Sequence, residues 1–385
     1  MAESRFDFDT VIDRRGTDSE KWNKYRDRDV IPLWVADMDF SSPPAVIAAL
    51  HDRVSRGVFG YTHPSGELVD AVLSHLSRDF GWKVEPEWLV WLPGLVCGLN
   101  ILCRAIGDVD DEVLTFTPIY PPFLSAPLLS RRSLVKAPLV LQGNRWVVDR
   151  EALERAITPR TKLLLLCNPH NPVGRVWSRS ELEDLAEVAA RHDLVIGSDD
   201  IHAGLILDPE KSHIPIATLS PEIACRTITL LAPSKTYNIP GLGCSFAVIP
   251  DAALRRTFRR AMAGIVPHVN ILGYTATLAA YRDGEEWRRA LLEYLRGNRD
   301  LVTEAIGRMP GLAMTPVEAT YLAWIDARQT GIEHPGKFFE SAGVGLSDGT
   351  DFDGAGFVRL NFGCPRSLLS EALRRMEIAL AGRRE

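Results

Sequence analysis

Short, uninterrupted apolar runs punctuate the middle of the chain: "EVLTFTP" at 112–118, "KLLLLCNP" at 162–169, "DLVIGSDD" at 193–200, "RTITLLAPSK" at 226–235 and "LGCSFAVIP" at 242–250. Runs of that length without polar alternation predict strands covered on both faces. Between two of them, "SRSELEDLAEVAARHD" opens with Ser178 and Glu181 in capping-box spacing, then sets apolar residues at helical intervals. The order strand, helix, strand predicts an α/β fold with a mostly parallel central sheet and crossover helices. After about residue 284 the rhythm changes. "EEWRRALLEYLRGNRDLVTEAIGRM" predicts a long charged amphipathic helix, followed by strand-like "TYLAWID" and "GFVRLNF" and a closing helix from "PRSLLSEALRRMEIAL". The pattern predicts a large domain over 46–284 and a smaller α+β domain from 285–385 together with an N-terminal arm, 1–45. The arm holds too few core-forming residues to fold alone, so it is expected to drape over the body or join the smaller domain.

At 385 residues, 46% hydrophobic and 24% charged, the composition suits an ordinary globular protein divided between two domains. A formal charge of -6 gives no basic stripe for nucleic acid, and no apolar run reaches the roughly 20 residues that span a bilayer. The N-terminus "MAESRFDFDTVIDRRGTDSEKW" is polar and acidic, unlike a secretory or transit peptide. A cytoplasmic protein acting on a small molecule is the expectation. Six cysteines (Cys97, Cys103, Cys167, Cys225, Cys244, Cys364) fall singly and mostly inside apolar segments, which points to buried free thiols, a reducing compartment and no metal site.

Polar residues collect where the predicted strands end, the place where an open parallel sheet binds ligands. "SDDIH" ends one strand, "CNPHNPVG" another and "PSK" a third. Singly, each has a plain alternative: Asp199 and Asp200 as helix caps, Asn168 and Asn171 as turn formers, Lys235 as a solvated lysine. Three such ends together are hard to explain by packing.

Taken together, "SDDIHAGL", "LCNPHNPVGRVW" and "APSKTYNIPGL" resemble the fold-type I pyridoxal phosphate enzymes of the aminotransferase class I/II superfamily. More narrowly, "FDFDTVIDRRGTDSEKW", "WVADMDF", "FGYT" and "RLNFGCPRS" are similar to the cystathionine beta-lyase, or C-S lyase, branch, and the resemblance runs from Phe6 to the last helix. It implies a PLP-dependent transferase fold of type I, pyridoxal 5'-phosphate as cofactor, a small amino-acid substrate and a homodimer with shared active sites. Lys235 would form the Schiff base with the cofactor aldehyde and later act as general base at the α-carbon. Asp199 would pair with the pyridine nitrogen and keep it protonated. Asn171 would hydrogen-bond the phenolic oxygen with His202 beside it; a structural, backbone-bonded histidine is the alternative for His202. Tyr120 would stack on one face of the ring and Ile201 on the other, unless Tyr120 is a rigid anchor for its proline-rich loop. The phosphate would take backbone N–H groups of Gly94, Leu95 and Val96 at a helix start and the hydroxyl of Ser234. Tyr61 of "FGYT" would reach the phosphate or the reacting centre of the neighbouring subunit. Arg359 would grip the substrate carboxylate at two points, with Ala36 and Asp37 close by and the backbone of Ala36 contributing to carboxylate recognition; a surface salt bridge is the other reading of Arg359, and a turn residue that of Asp37.

The chain also departs from this pattern. Ala232 and Gly243 stand where many aminotransferases have a serine and an arginine, Asp200 where a glutamate is usual, Gly204 where an acidic residue often follows, and Cys97 where a proline is common. The resemblance implies α,β-elimination from cystathionine or another S-substituted L-cysteine, giving a thiol, pyruvate and ammonia. Transamination, or a decarboxylating or oxidative reaction in the synthesis of sulfur-containing natural products, would use nearly the same residues. A non-catalytic regulatory module is a further alternative, against which both Lys235 and Asp199 stand. No motif places a second basic residue for a distal carboxylate, which leaves open an apolar S-conjugate in place of cystathionine.

Overall fold

The five apolar runs become the strands Glu112–Thr117, Thr161–Cys167, Val195–Asp199, Thr227–Leu231 and Ser245–Val248, nearly every residue of which is buried. In the computed structural model, which describes residues 6–383, they occupy the middle of an eight-stranded sheet. Residues 1–5 and 384–385, assigned above to the smaller domain, lie outside the described residues. The spatial order is Leu89–Leu92, Ser245–Val248, Thr227–Leu231, Val195–Asp199, Thr161–Cys167, Glu112–Thr117, Ser133–Gln142, Arg145–Val148. The four pairings from Thr227–Leu231 to Ser133–Gln142 are parallel and the other three antiparallel. Of the outer strands, Leu89–Leu92 is a short apolar run, whereas Ser133–Gln142 and Arg145–Val148 mix polar with apolar residues. Ser133–Gln142, for instance, contains Lys136 and Pro138 and buries only Ala137 and Leu139, because a strand with one open face needs apolar residues on one side alone.

Register decides where chemistry can occur. Cys167 lies opposite Asp199, and Asp199 opposite Leu230, so the segments after these strands leave the sheet side by side. Helices cover the faces. Arg179–Arg191 starts with the expected capping box: Ser178 Oγ accepts from the Glu181 N–H at 3.3 Å, and Glu181 Oε2 accepts from the Ser178 N–H at 2.8 Å, a device worth about 1 kcal/mol. Its apolar stripe, Leu182, Leu185 and Ala189 among others, packs on the sheet. Leu95–Ala105 covers the other face through Leu99 and Leu102.

A second, antiparallel sheet orders Ala313–Met314, Leu322–Asp326, Phe357–Asn361 and Ser347–Asp348. Helices Glu285–Arg308 and Arg366–Ala381 pack against each other beside it. The arm is bound to this part: Ile31–Pro32 pairs in parallel with Val344–Gly345, and Phe8 sets its ring against Phe40 and Trp287. Lys21 is wholly buried, a placement that requires a partner for its charge. Its ammonium donates to Asp39 Oδ2 at 2.7 Å and to the Asp37 carbonyl at 2.9 Å, while Arg14 forms ion pairs with Asp37 and Asp39. All six cysteines are free, and among the described residues no helix is long and apolar enough to cross a membrane.

Candidate active site

Three strand ends and the second sheet converge on a cavity of about 270 Å³. Of the residues nominated from the sequence, it is lined by Ala36, Gly94, Leu95, Val96, Tyr120, Asn171, Asp199, Ile201, His202, Ser234, Lys235 and Arg359. Tyr61 is the exception: it lies in a coil, fully exposed, and does not line the cavity of its own chain.

Lys235 sits just past Thr227–Leu231, on turns closed by Pro233 and Ser234 carbonyls accepting from the Tyr237 and Ile239 N–H groups. Its Nζ donates to the Ala36 carbonyl at 2.5 Å. Burial, helped by the nearby Arg359 charge, pushes the amine down to about 8, against the opposing pull of Asp37 and Asp199. An amine with that affinity for protons is available as a nucleophile or base near neutral pH. Asp199 ends its strand almost fully buried, with Oδ1 accepting from the Ile201 N–H at 3.1 Å. Burial pushes its carboxyl up to about 7, the single N–H bond opposing that rise. A carboxylate so poorly solvated calls for a cation to face it.

Arg359, in the strand Phe357–Asn361, is buried and rests over the Phe352 ring at 4.5 Å. It donates to Asn171 Oδ1 at 3.1 Å, to the Trp34 carbonyl at 2.9 Å and to Ser347 Oγ at 3.3 Å. No carboxylate pairs with it among the described residues, and its Nε has no partner. The surface salt bridge considered for it is not what the structure forms. His202 is likewise buried, with Nδ1 unpartnered, so the backbone-bonded alternative does not describe that atom. Burial and the charges of Lys235 and Arg359 push its imidazole down to about 3, leaving it neutral. Asn171 accepts the Tyr120 N–H on its carbonyl, which fixes the tyrosine at the cavity wall.

The start of helix Leu95–Ala105, which has no side-chain cap, lines the cavity through Gly94, Leu95 and Val96, as does Ser234. A helix start of this kind suits an anion. Two of the departures noted in the sequence, Gly243 and Gly204, have steric reasons. Gly243 has φ +56°, and a Cβ there would stand 3.0 Å from the Pro93 carbonyl oxygen, so an arginine is disfavoured. A Cβ on Gly204 would meet Thr236 Oγ1 at 2.6 Å, leaving no room for an acidic side chain. Asp200 turns away from the cavity instead, accepting from Ser198 Oγ at 2.5 Å and contacting His213 Nε2 at 2.8 Å.

Sequence reasoning passed over Tyr321 and Asn361. Tyr321 donates its hydroxyl to the Ala36 carbonyl at 3.0 Å, and Asn361 donates to the Val35 and Asp37 carbonyls. Both sit in the strand-like stretches "TYLAWID" and "GFVRLNF"; a buried polar residue at a strand end was the available signal.

The residues present fit a pyridoxal-type cofactor on these grounds: an unpartnered buried imidazole, a desolvated lysine and aspartate on adjoining strand ends, and an uncapped helix start lining the same cavity. Such a sheet and site define an α/β enzyme of the lysine-dependent cofactor class. The chain belongs to the aminotransferase class I and II family, whose profile matches residues 28–376. It is 37% identical to cystathionine beta-lyase PatB of Bacillus subtilis (strain 168), over 97% of this chain and 100% of that protein. Among solved structures, it resembles that of OvoB at a TM-score of 0.95 and 51% identity, covering 97% of this chain and 99% of that one. It also resembles cystalysin from Treponema denticola, a structure containing pyridoxal 5'-phosphate, at a TM-score of 0.94 and 31% identity, over 98% and 99% of the two chains.

Proposed function

We propose that the protein is a pyridoxal 5'-phosphate-dependent carbon-sulfur β-lyase, which converts an S-substituted L-cysteine and water to a thiol, pyruvate and ammonia. The observation that carries an amino-acid substrate is Arg359, a buried cation without an acid partner among the described residues, facing the same cavity as Lys235. C–S cleavage is supported by two relatives, matched over nearly their full length, that are named cystathionine beta-lyase. When bound, the cofactor supplies an electron sink for the pair released at the substrate's α-carbon. Asp199 would hold its ring nitrogen, Asn171 and His202 its phenolic oxygen, Tyr120 and Ile201 its two faces, and the Gly94–Val96 amides with Ser234 its phosphate.

The protein's own steps follow from charge and reach. Arg359 binds the α-carboxylate at two points and fixes rotation about the α-carbon. Lys235 Nζ removes the α-hydrogen, which its low affinity for protons permits near neutral pH. The sulfur then leaves with its bonding pair, and the low-dielectric cavity keeps the carboxylate contact strong.

Incubating the protein with cystathionine and with an S-alkyl cysteine, while assaying pyruvate and free thiol together, tests this reading. Equal amounts of both support it; a 2-oxo acid without thiol would make the protein a transaminase. Arg359→Ala is expected to raise KM for the amino acid roughly 10²-fold, the loss of two charge-assisted hydrogen bonds, with cofactor content nearly unchanged. Equal loss of cofactor would make Arg359 structural, acting through Asn171.

We further propose that the active unit is a homodimer in which Tyr61 enters the partner's cavity. Val58, Phe59 and Tyr61 stand exposed in one short coil, a cluster that a lone chain leaves in water. Mixing the inactive variants Tyr61→Ala and Lys235→Ala is expected to restore up to about a quarter of wild-type activity, since a random mixture rebuilds one intact site per heterodimer. No recovery after full subunit exchange would place each site within one chain.

A further inference from the structure

From Trp34 to Met38 every backbone carbonyl accepts a hydrogen bond from a side chain far away in sequence. The Trp34 carbonyl takes Arg359 at 2.9 Å and Ser347 at 2.7 Å; Val35 takes Asn361 at 2.7 Å; Ala36 takes Lys235 at 2.5 Å and Tyr321 at 3.0 Å. Asp37 takes Asn361 at 2.8 Å and Lys21 at 2.9 Å, and Met38 takes Asn238 at 3.1 Å. The Asp37 N–H donates to the Val35 carbonyl at 2.9 Å, closing a three-residue turn about Ala36 that presents its carbonyl to Lys235.

Asn361 sits at the centre of this arrangement. It is wholly buried, its Nδ2 bridges the carbonyls on either side of Ala36, and its Oδ1 accepts from the Gly363 N–H at 2.7 Å. A buried amide with its donors and acceptor engaged in one geometry is a rigid fixture. Lys235, by contrast, carries its amine on a flexible four-carbon stem and needs a fixed acceptor to hold one orientation. Among the described residues, the Ala36 carbonyl is the acceptor that the amine bonds.

We propose that Asn361 is a positioning residue for proton transfer: by clamping the carbonyls that flank Ala36, it sets the Ala36 carbonyl as the resting acceptor of the Lys235 amine and aims that amine at the substrate's α-hydrogen. Tyr321 shares this task by bonding the Ala36 carbonyl directly. The proposal rests on Lys235 being the general base of the proposed function. It is independent of what leaves from the β-carbon.

The test uses the holoenzymes of wild type, Asn361→Ala and Tyr321→Phe with L-alanine, which has no β-leaving group, following exchange of its α-hydrogen for deuterium in D2O by NMR. In Asn361→Ala the saturating exchange rate is expected to fall about 10–100-fold, the penalty of a misplaced reacting group. Tyr321→Phe is expected to show a smaller loss. The half-saturating L-alanine concentration and the cofactor content should change little in either. Exchange at the wild-type rate in both variants would overturn the proposal. So would a half-saturating concentration that rises as far as the rate falls, because Asn361 would then act through Arg359, two residues away on the same strand face. If Asn361→Ala does not retain cofactor, Tyr321→Phe decides, since it removes one oxygen and keeps the ring; unchanged exchange overturns the proposal. Thiol release from an S-alkyl cysteine, measured on the same wild-type sample, separates the two readings: normal exchange without thiol would sink the lyase assignment alone.

Discussion

Lys235→Ala is expected to lower turnover by at least about 10⁴-fold, because one side chain supplies both the covalent attachment and the general base. The variant should also lose the yellow colour of cofactor joined through an amine. It should fold normally. Burial disfavours the charged amine, so removing it relieves a cost, and the Ala36 carbonyl keeps its bond from Tyr321. The decisive comparison is therefore turnover against melting temperature. Loss of both together would mean that Lys235 holds the loop in place instead of carrying chemistry. Retained turnover would remove it from the mechanism.

Asp199→Asn is expected to cost turnover by roughly 10²–10³-fold or more, since a neutral amide cannot hold positive charge on the facing ring nitrogen as a buried carboxylate does. The same substitution has a signature without cofactor. The native carboxyl is raised to about 7 from an ordinary 3.8, so the folded state binds more protons than the unfolded one between those values. Its contribution to stability is full below 3.8 and is lost as pH rises through 7. An asparagine does not titrate. The cofactor-free variant should thus gain in melting temperature relative to wild type on going from pH 4 to pH 8. Parallel melting curves across that range would show that Asp199 is not desolvated as the structure has it.

The parts of this fold that were legible in the sequence are those dictated by local pattern. Continuous apolar runs named the buried strands, and Ser178 with Glu181 named a helix start, because burial and capping act on neighbours in sequence. Lys235, Asp199 and Asn171 stood out because strand ends in a parallel sheet face a common crevice. The outer strands were not legible: Ser133–Gln142 and Arg145–Val148 mix polar with apolar residues, and Leu89–Leu92, though apolar, is a run of only 4 residues. Nor was the clamp around Ala36. Lys235 and Tyr321 reach it from 199 and 285 residues away, and no local periodicity records such contacts. Arg359 was marked by its apolar strand, but its lack of an acid partner is visible only in three dimensions. Gly204 and Gly243 read as departures from a pattern until the space around them was known: one faces Thr236, and the other has a left-handed backbone against Pro93.

The measurement that bears most directly on the account is borohydride reduction of the holoenzyme followed by peptide mapping, which fixes the cofactor permanently to whichever amine holds it. The account predicts one pyridoxyl group per chain, on the peptide containing Lys235, and its disappearance when the amino-acid substrate is present during reduction. Label on another lysine, or label on Lys235 that no amino acid displaces, would contradict it.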